Sequence, residues 1–285
     1  MSTELPIFVS TSGVRNDTAI DCAKSWADLG VKRIELSGGK HVAALDQELT
    51  QLADVFQDVM LHNYFPPPEI PFVLNLASID TNILEKSLSL AKKAIDKSSL
   101  LNSKFYGVHA GFLFDPKVEH LGHPIPRQDI VSRNTALNQF HESIRELSKF
   151  ATQRGIQLLV ENNVLSQKNF DEFGTNPFLL VELEEILDFT NKSDVGLLLD
   201  VGHLNVSCQT LKSDRVKAME LLGPIVDGYH LSDNDGSSDQ HAKLTPNSWF
   251  VPFLDFNAKF MTLEIHSQMK DDIFESLRVI ENVVS

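Results

Sequence analysis

The sequence predicts an α/β fold of the (β/α)8 barrel type, with residues 1–285 forming one domain. Three observations favour this fold. Apolar segments alternate with amphipathic helical segments, there are eight apolar segments, and these are continuous rather than alternating with polar residues. Continuous apolar strands are typical of parallel sheets that are covered on both faces. Eight such units in a chain without linkers fit a closed barrel.

The predicted strands share a short apolar run with polar residues at its carboxyl end. In chain order they are PIFVSTSG, VKRIELSGG, DVMLHNYF, FYGVHAGFL, IQLLVENNV, VGLLLDVGHL, IVDGYHLSD and KFMTLEIHS. The predicted helices repeat apolar residues every three or four positions. In chain order they are TAIDCAKSWADLG, HVAALDQELTQLADVF, ILEKSLSLAKKAIDKSS, RNTALNQFHESIRELSKFATQRG, NPFLLVELEEILDFTNK, DRVKAMELLG and DDIFESLRVIENVVS.

The main alternative to a barrel is an open, doubly wound parallel sheet. The first strand–helix turn has no G-x-G-x-x-G motif, which such a sheet commonly carries when it binds a dinucleotide. Every predicted strand is followed by a helical pattern, and this pattern is weak only after the seventh strand. The closed barrel is therefore the predicted architecture.

Composition and charge narrow the class of protein. The formal net charge of −14 disfavours nucleic acid as a partner, because phosphate backbones are bound by basic surfaces. No apolar run approaches the roughly 20 residues of a membrane-spanning helix, and the N-terminal segment lacks the pattern of a secretory signal. Two cysteines, Cys22 and Cys208, do not make a disulfide framework. We therefore expect a cytoplasmic protein without membrane contact, for which nucleic acid is a disfavoured partner.

Histidines and carboxylates stand at the carboxyl ends of the second to the eighth predicted strands. They are Glu35, His62, His109, Glu161, Asp200 with His203, His230 with Asp239 and His241 shortly after it, and Glu264. In a barrel these strand ends form one mouth, where active sites lie. Carboxylates crowded there repel one another unless a cation neutralises them. Imidazole and carboxylate ligands together suit Zn²⁺, Mn²⁺ or Fe²⁺ better than Ca²⁺, so we predict a divalent-metal site.

The motifs around these residues resemble those of the xylose isomerase-like TIM-barrel superfamily. The matching segments are LHNYFP…NLAS, VHAG, VENN, LDVGH, HLSDNDG…DQH and LEIH. They extend from the second strand to the eighth, which is nearly the whole chain. This superfamily includes sugar and sugar-phosphate isomerases and epimerases, as well as apurinic-site endonucleases of the endonuclease IV type.

The resemblance implies one to three metal ions per chain, Zn or Mn. The implied ligands of the core metal are Glu161, Asp200, His230 and Glu264. A second metal would be held by His62 and His109 with Glu161 shared, and a third by His203, Asp239 and His241. The segment AKLTPNSWF after His241 lacks the Gly-rich turn found there in the endonucleases. The number of ions therefore stays open.

The resemblance also implies an enzyme, for which two activities stay open. As an isomerase or epimerase, it would transfer a proton through a metal-stabilised enediolate, with Glu161 and Glu264 as the acid/base pair and His203 orienting a hydroxyl. As an endonuclease IV-like phosphodiesterase, it would act on abasic DNA or another phosphoester. A catalytically inert metal-binding barrel is the third alternative. The acidic charge favours the first.

The expected partner is a small sugar or sugar phosphate. We expect Tyr64, Phe112 and Trp249 to line its pocket and Lys168 to contact it. Basic residues in loops at the presumed mouth are few: Lys40, Arg127, Arg133, Lys168 and Lys243. They are better suited to one phosphate group than to a duplex. The sequence leaves the oligomeric state open, a homo-oligomer included.

Five further histidines are expected to lie outside the ligand set: His41, His120, His123, His141 and His266. His41 and His141 fall in predicted helices, and His120 and His123 fall in the long loop after the fourth strand. His266 follows Glu264 by two residues, so we expect it on the same side of the eighth strand.

Overall fold

The computed structural model describes residues 5–12, 17–120, 125–267 and 270–284. Parallel strands form a closed barrel in which each strand pairs with its neighbours in the sequence and the last pairs with the first. The strands are β1 (Ile7–Ser10), β2 (Arg33–Leu36), β3 (Asp58–His62), β4 (Phe105–His109), β5 (Gln157–Glu161), β6 (Gly196–Asp200), β7 (Val226–Leu231) and β8 (Phe260–Leu263). The predicted (β/α)8 fold is confirmed.

Helices alternate with the strands and pack their apolar faces against the barrel. Within the described ranges they are α1 (Ala19–Ala27), α2 (Leu45–Val55), α3 (Thr81–Leu100), α4 (Arg133–Thr152), α5 (Gln167–Phe173), α6 (Leu183–Lys192), α7 (Val201–Leu211), α8 (Arg215–Leu222) and α9 (Lys270–Val284). Polar side chains fix where several of them begin, as Asp80 and Ser132 do for α3 and α4, because they accept hydrogen bonds from free backbone N–H groups. No helix in the described part of the chain has the length and apolarity to cross a membrane.

The sequence did not predict α5 and α7, and α7 matters for the site. The predicted sixth strand ran past His203, whereas β6 ends at Asp200 and α7 begins at the next residue. The Asp200 carboxylate is the physical reason, since it accepts a hydrogen bond from the backbone N–H of His203 at 2.7 Å and caps the helix. After β7, the weak helical pattern corresponds to a 3₁₀ turn at Val251–Phe253.

A layer of buried apolar side chains underlies the carboxyl end of the barrel. Its members are Phe8, Met60, Leu159, Leu198 and Phe260. Because side chains alternate between the two faces of a strand, the residues two positions later share the same face. Those residues are Ser10, His62, Glu161, Asp200 and Thr262. The alternation therefore places three predicted ligands directly above a dry apolar layer.

Candidate metal centre

Four predicted ligands meet at the carboxyl end of the barrel: Glu161, Asp200, His230 and Glu264. Each offers one ligand atom, and these atoms all lie within 4.8 Å of one another. Nδ1 of His230 is 3.1 Å from Oε2 of Glu264 and 3.5 Å from Oε1 of Glu161. All four side chains are buried. Three buried carboxylates around one imidazole nitrogen have the composition of a site for a single divalent cation.

A second group of ligand atoms shares Glu161 with the first. Nε2 of His62 lies 2.6 Å, and Nε2 of His109 lies 3.3 Å, from Oε2 of Glu161. The three ligand atoms lie within 4.8 Å of one another. The two oxygens of Glu161 thus face different sets of imidazoles, which is the arrangement of a bridging carboxylate.

In the third predicted group, Asp239 contacts both histidines, although the Gly-rich turn after His241 is missing. Oδ2 of Asp239 lies 2.9 Å from Nε2 of His241 and 3.3 Å from Nε2 of His203. Nδ1 of His241 lies 3.0 Å from the backbone carbonyl oxygen of Glu264. Nδ1 of His203 lies 2.8 Å from the backbone carbonyl oxygen of Asn162. These contacts direct both Nε2 atoms towards Asp239.

Whether the site suits a metal can be judged from its carboxylate oxygens. Oδ2 of Asp200 and Oδ1 of Asp239 are buried and have no hydrogen-bond partner among the described residues. A buried oxygen without a partner costs free energy unless something else binds it. The donors are imidazole nitrogens and carboxylate oxygens only, which suits Zn²⁺, Mn²⁺ or Fe²⁺. The residues therefore fit a divalent metal.

The protonation of the cluster follows from competition between burial and charge. Burial disfavours the imidazolium form, but the carboxylates around His203 and His230 outweigh it and hold the pKa of both rings well above the ordinary value. Burial likewise opposes ionisation of Glu161, but the neighbouring histidines hold its pKa well below the ordinary value. Burial raises the pKa of Asp200 to about 7 and lowers the pKa of His109 to about 4. Protons on imidazoles thus balance the carboxylates where no cation does so.

Metal binding is therefore expected to release protons and to tighten as the pH rises. For His241, burial lowers the pKa, but the hydrogen bond to Asp239 and the charge of Glu264 raise it from 6.5 to about 9. A ligating imidazole must lose this proton, so affinity should increase between about pH 6.5 and pH 9. Calorimetric titration of the metal-free protein with Zn²⁺, in buffers of different ionisation enthalpy, counts the released protons. His241→Asn should release fewer. An affinity independent of pH over this range would contradict the assignment.

Asn162 supports the site and was not singled out from the sequence. Its side-chain oxygen accepts a hydrogen bond from the Asp200 backbone N–H at 2.8 Å, and its amide donates to the Asp200 carbonyl at 3.1 Å. Its own carbonyl lies beside Nδ1 of His203. Asn162 therefore holds two predicted ligands in place. The available signal was an amide directly after Glu161, at a position where burial must be compensated by hydrogen bonds.

Two of the predicted pocket aromatics lie in packed surroundings. The Tyr64 hydroxyl accepts a hydrogen bond from the Phe72 backbone N–H at 2.8 Å. Phe112 packs edge-to-face on Phe178, with 5.6 Å between ring centroids, and belongs to a satellite apolar cluster. These contacts give both rings a structural role, and their contact with substrate stays a prediction.

Trp249 packs beside Arg215 and Phe250, and Lys168 is exposed to solvent. The Trp249 ring lies under the guanidinium group of Arg215, at 4.6 Å, and packs edge-to-face on Phe250. Lys168 is exposed on α5. Their contact with substrate also stays a prediction.

Two basic residues that were expected at the mouth are already paired. Arg133 donates to both carboxylate oxygens of Glu185 and to two backbone carbonyls. Lys243 binds Asp272 at 2.8 Å and Glu275 at 2.9 Å. Acidic neighbours therefore occupy N–H groups of both residues, and their contact with a substrate stays a prediction. Lys40, Arg127 and Lys168 are exposed.

The other histidines lie mainly away from the ligand cluster. His41 precedes α2 rather than lying within a helix, and its Nδ1 is 3.0 Å from the Pro67 carbonyl. His141 lies on α4 as predicted, and His120 lies in a 3₁₀ turn. His266 stacks on His241, with 3.9 Å between ring centroids. His123 falls outside the described residues.

Known proteins share this architecture. The chain is similar to a D-tagatose 3-epimerase-like protein, with 18% identity, 98% of this chain and 97% of that chain covered, and a TM-score of 0.74. It is also similar to D-allulose 3-epimerase from Methylomonas sp. in complex with D-allulose, with 14% identity, 98% of this chain and 97% of that chain covered, and a TM-score of 0.66. A third similar structure is endonuclease IV from Thermus thermophilus, with 16% identity, 98% of each chain covered, and a TM-score of 0.60. At such identities these similarities establish the fold alone.

The sequence itself gives the family. No curated protein matches it significantly. The family model described as xylose isomerase-like TIM barrel matches residues 23–282. Because this match covers most of the chain, the protein belongs to the xylose isomerase-like TIM-barrel family.

Proposed function

We propose that the protein is a metal-dependent isomerase or epimerase of a sugar or sugar phosphate. The observation that carries the proposal is the placement of both Glu161 and Glu264 beside one imidazole nitrogen of His230, at 3.5 Å and 3.1 Å. Two carboxylates that share one site can remove a proton from one face of a substrate carbon and return it to the same or the other face.

When bound, a divalent cation supplies a Lewis acid that polarises neighbouring sugar oxygens and acidifies the adjacent C–H group. Either Glu161 or Glu264 removes the proton from carbon, which leaves an enediolate, and the same or the other carboxylate returns it. Burial opposes ionisation of Glu264, but His230 holds its pKa well below the ordinary value, so the side chain is present as the carboxylate, the form that a base requires. His203, whose ring is anchored on Asn162, is proposed to orient a substrate hydroxyl.

Charge supports a small substrate over a duplex. The protein carries a net charge of −14. Of the five basic residues expected at the mouth, Arg133 and Lys243 are paired with carboxylates. The remaining cations suit one phosphate group, whereas a duplex needs an extended basic surface. The free cysteines Cys22 and Cys208 agree with a cytoplasmic location.

Solvent exchange tests the proposal directly. Protein purified without chelator is incubated in D₂O with a panel of ketoses and their phosphates, and deuterium at the carbon beside the carbonyl is measured by NMR and mass spectrometry. We expect one sugar to incorporate deuterium, chelator treatment to stop the incorporation, and added Zn²⁺ or Mn²⁺ to restore it. Protein that holds metal and exchanges none of the sugars would contradict the proposal.

The second candidate function is an endonuclease IV-like phosphodiesterase. The specific observation in its favour is that the His62–His109 and the His203–Asp239–His241 groups are both assembled beside the core ligands. The test is incision of a duplex with one abasic site, which should fall steeply as salt increases. A protein that binds metal and performs neither reaction would be the inert barrel.

A further inference from the structure

Glu35 is a buried carboxylate that the proposed reaction does not use. It lies near the carboxyl end of β2 and is 1% exposed. The strands β1 and β8 separate β2 from β7 in the barrel, so Glu35 reaches across the interior to contact His230. Burying a carboxylate is unfavourable unless partners compensate the lost hydration, so the position of Glu35 calls for a physical reason.

The contacts of Glu35 are specific. Its Oε2 lies 3.1 Å from Nε2 of His230 and accepts a hydrogen bond from the Thr262 hydroxyl at 3.2 Å. Thr262 and His230 are register partners on β8 and β7, and both are fully buried. Two neighbouring strands thus aim donors at one oxygen of Glu35.

The two nitrogens of His230 therefore face different partners. Nε2 faces Glu35, whereas Nδ1 faces Glu161 and Glu264. A neutral imidazole carries one N–H, and an ionised carboxylate can only accept it. A carboxylate beside Nε2 consequently favours the Nε2–H tautomer, which leaves the Nδ1 lone pair for a cation that Glu161 and Glu264 would also bind.

We propose that Glu35 is a positioning residue that fixes His230 as the Nε2–H tautomer and so presents Nδ1 to the metal. The inference rests on the metal centre of the proposed function. It is independent of the reaction catalysed there, because it concerns only how one ligand is oriented. Glu35 also lies close to His62, and the ligand atoms of Glu35, His62 and His230 lie within 4.8 Å of one another. Direct ligation by Glu35 is thus the outcome that the test must separate from positioning.

The wild-type protein provides the first test. With Zn²⁺ bound, ¹⁵N-labelled histidine spectra should show the His230 proton on Nε2, in a strong hydrogen bond, and the metal on Nδ1. A proton on Nδ1 of His230 would overturn the proposal without any variant being made.

Variants at Glu35 provide the second test. Glu35→Gln keeps an acceptor oxygen, which the Thr262 hydroxyl helps to orient, so we expect the Nε2 proton to stay and its signal to move upfield as the acceptor loses its charge. Glu35→Met removes the acceptor and should weaken Zn²⁺ binding about 10- to 100-fold in chelator competition. Thr262→Ser is the matched control, since it keeps the hydroxyl that donates to Glu35 and should keep the wild-type affinity.

Metal content separates positioning from ligation. All three variants should bind as many ions per chain as the wild type when Zn²⁺ is in excess. Loss of one ion in both Glu35 variants would make Glu35 a ligand and overturn the proposal. If Glu35→Met does not fold, an unchanged Nε2–H signal and affinity in Glu35→Gln would also overturn it. None of these readouts needs a substrate, so they stand or fall separately from isomerase activity.

Discussion

Glu161→Gln and Glu264→Gln are each expected to lower kcat for the exchanged sugar by about 10²- to 10⁴-fold, the usual contribution of a general acid or base. Glutamine has the shape of glutamate but cannot take a proton from carbon. Both side chains point into the cluster rather than into the apolar core, so the fold should be retained. The measurement is kcat at saturating sugar, beside the thermal midpoint and the metal content of each variant.

The control for these substitutions lies at the opposite end of the barrel. Asp227, near the start of β7, pairs with Lys259 and accepts a hydrogen bond from Gln157 at 3.1 Å. Asp227→Asn removes a carboxylate just as the glutamine variants do, and it should leave kcat unchanged. Full activity in both glutamine variants with metal still bound would show that the acid/base assignment is wrong.

Gly107→Ala is expected to lower both the stability of the fold and the number of metal ions bound per chain. Gly107 lies on β4, next to the ring of His62 and the side chain of Leu198. A Cβ added at this position would lie 2.9 Å from the nearest atom of each side chain. Overpacking of this kind destabilises proteins by about 1–3 kcal/mol. The His62 ring would have to shift, which would disturb its 2.6 Å contact with Glu161, so we expect fewer ions per chain and a lower urea midpoint.

A glycine at the other end of the barrel separates the two effects. A Cβ at Gly196 would come within 2.3 Å of Leu159 and 2.4 Å of Asp227. Gly196 is the first residue of β6, whereas the predicted ligand Asp200 is its last. Gly196→Ala should therefore lower stability without changing the number of bound ions. Equal loss of metal in both variants would mean that the loss follows from general unfolding rather than from displacement of His62.

The barrel could be predicted because its strands and helices differ in the spacing of apolar residues. Several strands also follow the same order, with a buried apolar residue first and a polar residue two positions later. Met60 and His62 illustrate the principle, since an apolar residue and a ligand two positions later share one strand face. Residues such as Glu161 were therefore placed correctly from sequence order alone. The sequence could not show that Asp200 ends its strand and caps a helix, because local capping competes with continuation of the strand.

Side-chain contacts between residues far apart in the sequence could not be predicted from the spacing of apolar and polar residues. Arg133 is separated from Glu185 by 52 residues, and their pairing joins the first turns of α4 and α6. Glu35 and His230 are 195 residues apart and meet only across the closed barrel. Asp239 and His241 were brought together without the Gly-rich turn, and His241 adopts a left-handed backbone with φ 47° to do so. A left-handed backbone is uncommon at residues other than glycine, and here it occurs at a predicted ligand.

Metal content per chain tests the central claim most directly. The protein is purified without chelator and analysed by elemental mass spectrometry, before and after chelation and after incubation with Zn²⁺ or Mn²⁺ followed by desalting. We expect at least one Zn, Mn or Fe ion per chain, removable and restorable, and close to three if the His62–His109 and His203–Asp239–His241 groups are also filled. A folded protein that retains no ion even after incubation with excess metal would contradict the claim that this cluster is a metal centre.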